Sequence, residues 1–375
     1  MPERRKALPG RDEAPMRHSR LAGLLDLDLR GLIAGIVSRP YRAVRAPVTG
    51  ATAVIDEVPR ATLQAEIDTL PPDQRLVDRG RFHVYCARAG QIPAALQEIG
   101  RLRELTFRAV GEGTGRCSDI DPFDAFYLHL FVWDAHAASV VGAYRLGVVD
   151  EILARHGKRG LYTHSLFRYR TRMLDSLGPA IELGRSFVRA EYQRSFAPLL
   201  LLWAGIGRFV ERSPQYAVLF GAVSISARYA PASRRLIVDY LSVHGADTRL
   251  ARYVSPRRPF RDPARTPSAT IPAPDSLDEL SRRIAQIEHD GKGVPVLLRQ
   301  YLQLGGRLLG FNLDRDFADT LDGLIMLDLR DVEDAVLARY MGTRGAAVFR
   351  AYHALDSVSR RRAPRAPSRE ARPAG

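Results

Sequence analysis

The sequence is short of most features that would assign it at a glance. Its 375 residues contain two cysteines, Cys86 and Cys117. That is too few for a disulfide framework, and a reducing cytoplasm suits them. There is no run of about 18 uncharged apolar residues, so no membrane-crossing helix is expected. The opening Met-Pro-Glu-Arg-Arg-Lys is not followed by an apolar signal core, which argues against secretion. No Gly-x-x-x-x-Gly-Lys-Ser/Thr loop is present, and Gly111-Glu-Gly-Thr-Gly-Arg lacks the dinucleotide-binding spacing. The Gly-x-Ser-x-Gly elbow of a serine hydrolase is missing. Asp119-x-Asp121-x-x-Asp124 has neither the glycine nor the final acid of a calcium loop, so no metal is expected. No internal repeat is visible.

What the chain has is positive charge, unevenly spread. The formal charge is +14. Residues 1–20 are net +3 and residues 360–375 net +5, so the ends hold more than half of it. Such ends are ordinarily solvated tails, and an anionic lipid surface attracts them by about 1 kcal/mol per basic residue. Nucleic acid is not expected as a partner, because no helix-turn-helix, zinc-ligand or RNA-platform pattern accompanies the charge.

The hydrophobic fraction of 46% allows a sizeable core. Residues 1–60 are rich in Arg, Pro and Gly and read as a partly disordered lead segment, with one amphipathic stretch at Leu21–Val37. Arg81–Ala89 alternates as a strand does. Gln91–Val110 repeats Ile92, Leu96, Ile99, Leu102 and Leu105 at helical spacing. Strands follow near Tyr127–Trp133 and Val140–Val148, and then a mixed stretch over residues 150–178. Next come a strand at Ile181–Val188, a helix at Tyr192–Val210, a strand at Ala217–Ser224 and a helix at Pro231–His244. Pro256–Pro274 holds six prolines and reads as a linker. Beyond it are helices near Leu277–Glu288, Val294–Leu304 and Val332–Tyr340, with strands near Arg307–Leu313 and Leu324–Leu329. The expected division is a core at 61–255, a linker at 256–276, an α/β extension at 277–345 that either adds to the core's sheet or folds alone, and a helix end with an Arg/Pro tail at 346–375. The fold class is α/β, a mixed sheet flanked by helices.

The stretch that draws chemistry is Ile181-Glu-Leu-Gly-Arg-Ser-Phe-Val188, an apolar strand carrying an acid and a base. Burying Glu182 and Arg185 without partners would cost several kcal/mol, roughly, so partners are expected. Strict alternation puts the two on opposite faces. A bulge at Gly184 would bring them together, and bulges cluster near active sites. The pair His129-x4-Asp134 matches the box that supplies a general base in glycerolipid acyltransferases. It lies inside an alternating strand with no phosphate-binding Gly-Thr-Arg after it, so His129 reads as a site-lining or core residue.

Taken together, several segments carry a resemblance. They are Leu102-Arg-Glu-Leu-Thr-Phe-Arg108, Asp119-Ile-Asp-Pro-Phe-Asp124, Tyr127-Leu-His-Leu-Phe-Val-Trp133, Val141-Gly-Ala-Tyr-Arg-Leu146, Glu182-Leu-Gly-Arg185 and Pro295-Val-Leu-Leu-Arg-Gln-Tyr-Leu-Gln-Leu-Gly-Gly306. As a set, over about Leu70 to Gly342, they resemble the ornithine-lipid N-acyltransferases and the hemolysin-like acyltransferases. These share the N-acetyltransferase-like fold with the acyl-homoserine-lactone synthases.

The resemblance implies transfer of a fatty or 3-hydroxyfatty acyl group from acyl carrier protein to the α-amine of an amino acid, ornithine first. It implies no tightly bound cofactor, with the phosphopantetheine thioester as co-substrate. The fold would splay Ile181–Val188 from Ala217–Ser224 and seat the pantetheine arm between them. Members using coenzyme A bind its pyrophosphate on a glycine-rich loop after the first strand. Arg189-Ala-Glu-Tyr-Gln-Arg194 has no glycine there, which favours a carrier protein. Carrier proteins are acidic, and Arg189, Arg194, Arg208, Arg228 and Arg234 are the expected contacts.

Glu182 is the expected catalytic base. Arg103, Arg145 and Arg185 suit the acceptor carboxylate, and Asp121 and Asp124 suit a second amine. Phe107, Phe123, Phe126 and Trp133 are the expected walls of an acyl pocket. Two other readings remain: a lactone-type synthase that consumes S-adenosylmethionine, and a non-catalytic, membrane-associated partner of a second acyltransferase. Relatives often carry such an acyltransferase domain upstream, where this chain has the basic lead segment. A cytoplasmic place is expected, with peripheral contact on the inner membrane face.

Overall fold

The computed structural model describes residues 51–261, 274–315 and 317–362, with side chains through residue 355. Most of the expected lead segment, most of the Pro-rich linker and the Arg/Pro tail lie outside these residues.

The helices, in chain order, are α1 Arg60–Asp68, α2 Pro93–Val110, α3 Val149–His156, α4 Thr171–Leu177, α5 Ala197–Arg212, α6 Pro231–Tyr240, α7 Thr248–Ala251, α8 Leu277–Ile287, α9 Val296–Gln303 and α10 Asp334–Arg362. The strands are β1 Arg75–Arg79, β2 Phe82–Arg88, β3 Leu128–Asp134, β4 Ser139–Val148, β5 Phe167–Tyr169, β6 Ala180–Val188, β7 Val218–Ile225, β8 Val254–Pro256, β9 Arg307–Asp314 and β10 Thr320–Asp328. Eight of the strands form one sheet in the order β1-β2-β3-β4-β6-β7-β10-β9. Every neighbouring pair is antiparallel except β6 and β7, which run parallel. A short second sheet pairs β5 with β8. The expected mixed α/β sheet flanked by helices is present.

The sheet is covered on both faces. On one, Leu202, Trp203, Ile206 and Val210 of α5 pack with Leu280, Ile284, Leu298, Leu337 and Phe349 over Val84, Leu130, Leu146 and Leu183. On the other, α1 and α2 supply Leu63, Ile67, Ile99 and Leu102 against Phe131 and Trp133. There α3 and α4 cover Phe220, Leu324 and Met326. Burial on both faces explains why β4 reads as a mostly apolar run, broken by Arg145, rather than an alternating one.

Local signals place the ends. Pro93 opens α2, and Gly111 closes it in the left-handed region at φ 82°. The Ser276 side chain accepts from the Glu279 amide at the start of α8. Helix α5 starts at Ala197 rather than Tyr192 because residues 190–192 form a separate tight turn and Pro198 sets the first helical turn. A Cβ on Gly207 would lie 2.7 Å from the Tyr340 carbonyl oxygen, so the glycine lets α5 and α10 meet. Helix α10 is two helical segments joined at Gly342 (φ 78°, ψ 160°).

Of the two arrangements open to the C-terminal extension, the structure has the one that adds to the core's sheet. Strand β10 pairs with β7 from Leu321–Ile225 through Asp328–Val218, so the extension completes the sheet that the core begins. Among the described residues, no helix is long and apolar enough to cross a membrane.

Candidate active site

Strands β6 and β7 are joined by only three residue pairs: Ala180–Val218, Ile181–Leu219 and Glu182–Phe220. Both strands continue beyond that point without pairing to each other. The last close approach is at Gly221, where a Cβ would lie 2.1 Å from the Leu183 carbonyl oxygen. The expected splay is therefore present, in the expected pair of strands.

The gap holds a cavity with about 680 Å³ of empty space, part of it open solvent. Its lining differs on the two sides of the sheet. Tyr144, Leu183, Val223 and Tyr301 belong to the large apolar cluster. Glu112, Tyr162, Arg185, Ser224, Asp314 and Asp322 supply polar lining, beside Phe107 and Phe317.

A bulge shapes the β6 wall. Arg145 pairs with Gly184 and Ala143 with Phe187, so Arg185 and Ser186 together face Tyr144. The expected bulge is thus present one residue later than Gly184. The left-handed conformation falls on Arg185 at φ 52°, not on the glycine. Holding a non-glycine residue there costs about 1 kcal/mol or more, a kind of strain that gathers at functional sites.

Arg185 joins a closed ring of alternating charges. Arg103 binds both oxygens of Asp124 at 2.9 Å, and its Nε lies 3.4 Å from Asp119. Arg145 Nη1 lies 2.6 Å from Asp121 and 3.3 Å from Asp124. Arg185 completes the ring, with Nε 3.2 Å from Asp119 and Nη2 3.4 Å from Asp121. The guanidinium of Arg145 also sits over the Phe123, Tyr127 and Tyr162 rings, and that of Arg185 over Tyr162 and Phe317. Burial alone would raise the Asp124 pKa, but the Arg103 and Arg145 guanidinium groups override it and hold the carboxyl well below its usual range. Burial raises the Asp119 pKa, against the pull of Arg185 and Arg103. Of the substrate-binding residues expected from the sequence (Arg103, Asp121, Asp124, Arg145 and Arg185), all five meet in this ring, and only Arg185 lines the cavity.

Glu182 is placed differently. It is 1% exposed and does not line the cavity. Its carboxylate accepts from the Tyr127 hydroxyl, the Tyr162 amide at 3.1 Å and the Thr163 amide at 2.6 Å. Burial raises its pKa, and the bonds from Thr163 and Tyr127 oppose the rise. A carboxylate held by three donors away from the gap anchors the 160–163 turn and is not positioned to meet an amine in the cavity. It reaches the site through Tyr162, whose hydroxyl takes a 3.0 Å bond from Arg185.

The other expected residues divide. Phe107 lines the cavity. Phe123 and Phe126 pack beside Tyr127 outside it, and Phe126 stacks on His156. Trp133 is 1% exposed inside the core under α1 and α2, so it does not wall the cavity. Among the arginines, Arg228 and Arg234 flank the cavity. Arg228 donates to the Ala109 carbonyl near Glu112, and Arg234 to the Asp319 carbonyl beside Thr320. Arg194 is exposed, Arg189 pairs with Glu191, and Arg208 pairs with Glu211. His129 and Asp134 sit at opposite ends of β3. His129 bonds the Asp124 carbonyl at 2.9 Å, and burial lowers its pKa to about 4. Among the described residues no group of His, Cys, Asp or Glu is arranged to hold a metal ion.

Sequence reasoning missed Glu112, Tyr162, Ser224, Asp314 and Asp322. Ser224 donates to Glu112 at 2.7 Å, and burial raises the Glu112 pKa. Asp322 lies across from Ser224 in the β10–β7 register. An acid within Thr320-Leu-Asp-Gly-Leu-Ile is the same signal that singled out Glu182.

Comparison with known proteins agrees with this architecture. A family model described as an acetyltransferase (GNAT) domain matches residues 102–203. Two curated proteins named glycine N(alpha)-acyltransferase are each 29% identical to the chain. That from Phocaeicola vulgatus aligns over 305 residues, 77% of this chain and 92% of its own. That from Bacteroides thetaiotaomicron aligns over 306 residues, 77% of this chain and 90% of its own. No solved structure matches the chain. With a GNAT domain match, N-acyltransferase relatives along most of its length and a mixed sheet splayed at its one parallel pair, the chain is an acyltransferase enzyme.

Proposed function

We propose that the chain transfers a fatty or 3-hydroxyfatty acyl group from the thioester of an acyl carrier protein to the α-amine of an amino acid. The observation that carries this reading is the early end of the β6–β7 pairing with a cavity in the gap. A pantetheine arm fits there as an added strand, pairing with backbone groups that β7 leaves free. Backbone N–H groups along the bulged part of β6 supply the donors an acyl-transfer oxyanion needs.

The donor is a carrier protein rather than free coenzyme A because the turn after β6 offers no glycine-rich cradle for a pyrophosphate. Its Arg189 and Arg194, with Arg228 and Arg234 beside the cavity, suit an acidic partner. The relatives are named for glycine, so glycine is the first acceptor to test. Ornithine, expected from the sequence resemblance, is the second. The carboxyl groups of Glu112 and Asp314 in the cavity suit its additional ammonium group. Glu182 acts in this reading as a positioning residue that holds Tyr162 against Arg185. The product is a single-chain N-acyl amino acid made at the cytoplasmic side of a membrane, where the basic ends of the chain provide contact.

The test is lipid extraction from a host expressing the chain with an acyl carrier protein, followed by mass spectrometry. A new N-acylglycine or N-acylornithine is the expected result. Absence of any new N-acyl amino acid at good expression overturns the reading and moves the non-catalytic partner forward. Acceptor-independent consumption of S-adenosylmethionine would replace it with a lactone-type synthase.

A further inference from the structure

One carboxyl in the cavity has no structural employment. Asp322 is 6% exposed, and its Oδ2 has no hydrogen-bond partner among the described residues. It lines the polar side of the gap with Glu112, Asp314 and Arg185. An unanswered buried carboxyl oxygen destabilises a fold, so a structural role does not explain it. Glu112 differs, because it takes the Ser224 hydroxyl at 2.7 Å. Glu182 differs too, with three donors of its own. Burial first, then the neighbouring charges of Asp314 and Glu112, raise the Asp322 pKa well above the ordinary aspartate range, while Arg185 pulls it back. Asp322 therefore holds a proton more tightly than an exposed aspartate, which makes its carboxylate the stronger base. An ammonium group carries three donors and a positive charge, the complement of this corner of the cavity.

We propose that Asp322 is the catalytic base that takes a proton from the acceptor's ammonium group, with Glu112 and Asp314 drawing that cation into the gap. The assignment rests on the amine acyltransfer reading above. One ammonium proton passes to the Asp322 carboxylate. The freed nitrogen lone pair forms the C–N bond at the thioester carbonyl, and the C–S bond breaks as the tetrahedral intermediate collapses. The departing pantetheine thiolate takes the second proton from nitrogen, leaving an amide N–H and a free thiol. Asp322 then releases its proton to water.

Thiol release by the full-length chain tests this, with an acyl-carrier-protein thioester as donor and two acceptors compared. Glycine is an ammonium ion at pH 7 and needs a base, whereas hydroxylamine is already neutral. Asp322→Asn keeps the side-chain size and removes a charge that burial opposes, so it is expected to fold. It should lower turnover with glycine by about 10²-fold or more while leaving the hydroxylamine rate within about threefold, and Asp322→Glu should restore part of the glycine rate. Equal losses with both acceptors would reduce Asp322 to a structural residue and overturn the assignment, as would an unchanged glycine rate. The wild-type arm separates the two failures. No glycine- or ornithine-dependent release by wild type overturns the acyltransfer reading and this assignment together. Release by wild type that Asp322→Asn does not reduce overturns the assignment alone.

Discussion

Asp119, Asp121 and Asp124 fall close together in sequence, and each meets two arginines brought from α2, β4 and β6. A buried pair of charges does not stabilise a fold merely by being present, because desolvation offsets the attraction. A closed ring differs in that every charge has an opposite neighbour on both sides and the whole is neutral. Opening it leaves a buried cation short of a partner. Asp124→Asn should therefore cost about 3–5 kcal/mol at pH 7, read as a lower denaturant midpoint. The pH dependence has a definite sign. The folded-state pKa of Asp124 lies below its unfolded value, so its contribution is present above the unfolded pKa of about 3.9 and is lost as pH falls towards the folded one. The gap between wild type and Asp124→Asn should narrow below about pH 4, and a gap unchanged with pH would remove the carboxylate from the account. Arg185 was legible as a charge in an apolar run, and Arg103, Arg145, Asp121 and Asp124 through the segments that carry the family resemblance. Asp322 was not, although it too is an acid among apolar neighbours. The expected strand began at Leu324, so Thr320–Gly323 fell outside it.

Strand β6 does three jobs along nine residues. Its first part pairs with β7, its middle bulges at Arg185, and its far part leaves the gap open. The pairing and the gap meet at Gly221, where β7 passes the Leu183 carbonyl too closely for any side chain. Gly221→Ala should push the strands apart or distort the β6 backbone, at about 1–3 kcal/mol of stability. Because the displaced atoms border the cavity, the loss should appear in thermal stability and in turnover together. A variant as stable and as active as wild type would show that the approach is looser than the fold implies. The splay and the bulge were both legible, the first through the resemblance and the second from the spacing of Glu182 and Arg185. The conformation at Arg185 was not, because a glycine next door is the ordinary bearer of a left-handed turn and is here left extended. Strand β1 escaped notice because Arg75-Leu-Val-Asp-Arg is an edge strand with charged ends. Residues 150–178 were obscure because their elements are too short to show a period.

At the scale of the whole molecule, the Pro-rich stretch 256–276 looks like a boundary and is not one for the sheet. Composition marks a change of local structure, but it carries no information on which strand edge the following segment will cover. Strand β10 is buried along nearly all its length between β7 and β9, and Met341 and Phe349 of α10 share the core with α5. The same segment supplies Leu297, Tyr301, Asp314, Phe317, Thr320 and Asp322 to the cavity. A chain ending at residue 276 would leave β7 as an open edge beside an uncovered apolar surface, the condition that promotes edge-to-edge aggregation. We expect that truncation to be recovered in the insoluble fraction, or as a species without a cooperative thermal transition. The full chain should unfold the described region in one transition, because no hydrophobic core lies within 277–355 alone. A soluble fragment 1–276 with a sharp melt and native near-ultraviolet circular dichroism would show that the first eight strands fold by themselves. The C-terminal strands would then be an addition to a finished domain, and the carboxyl-lined side of the cavity an attachment to it rather than part of its core.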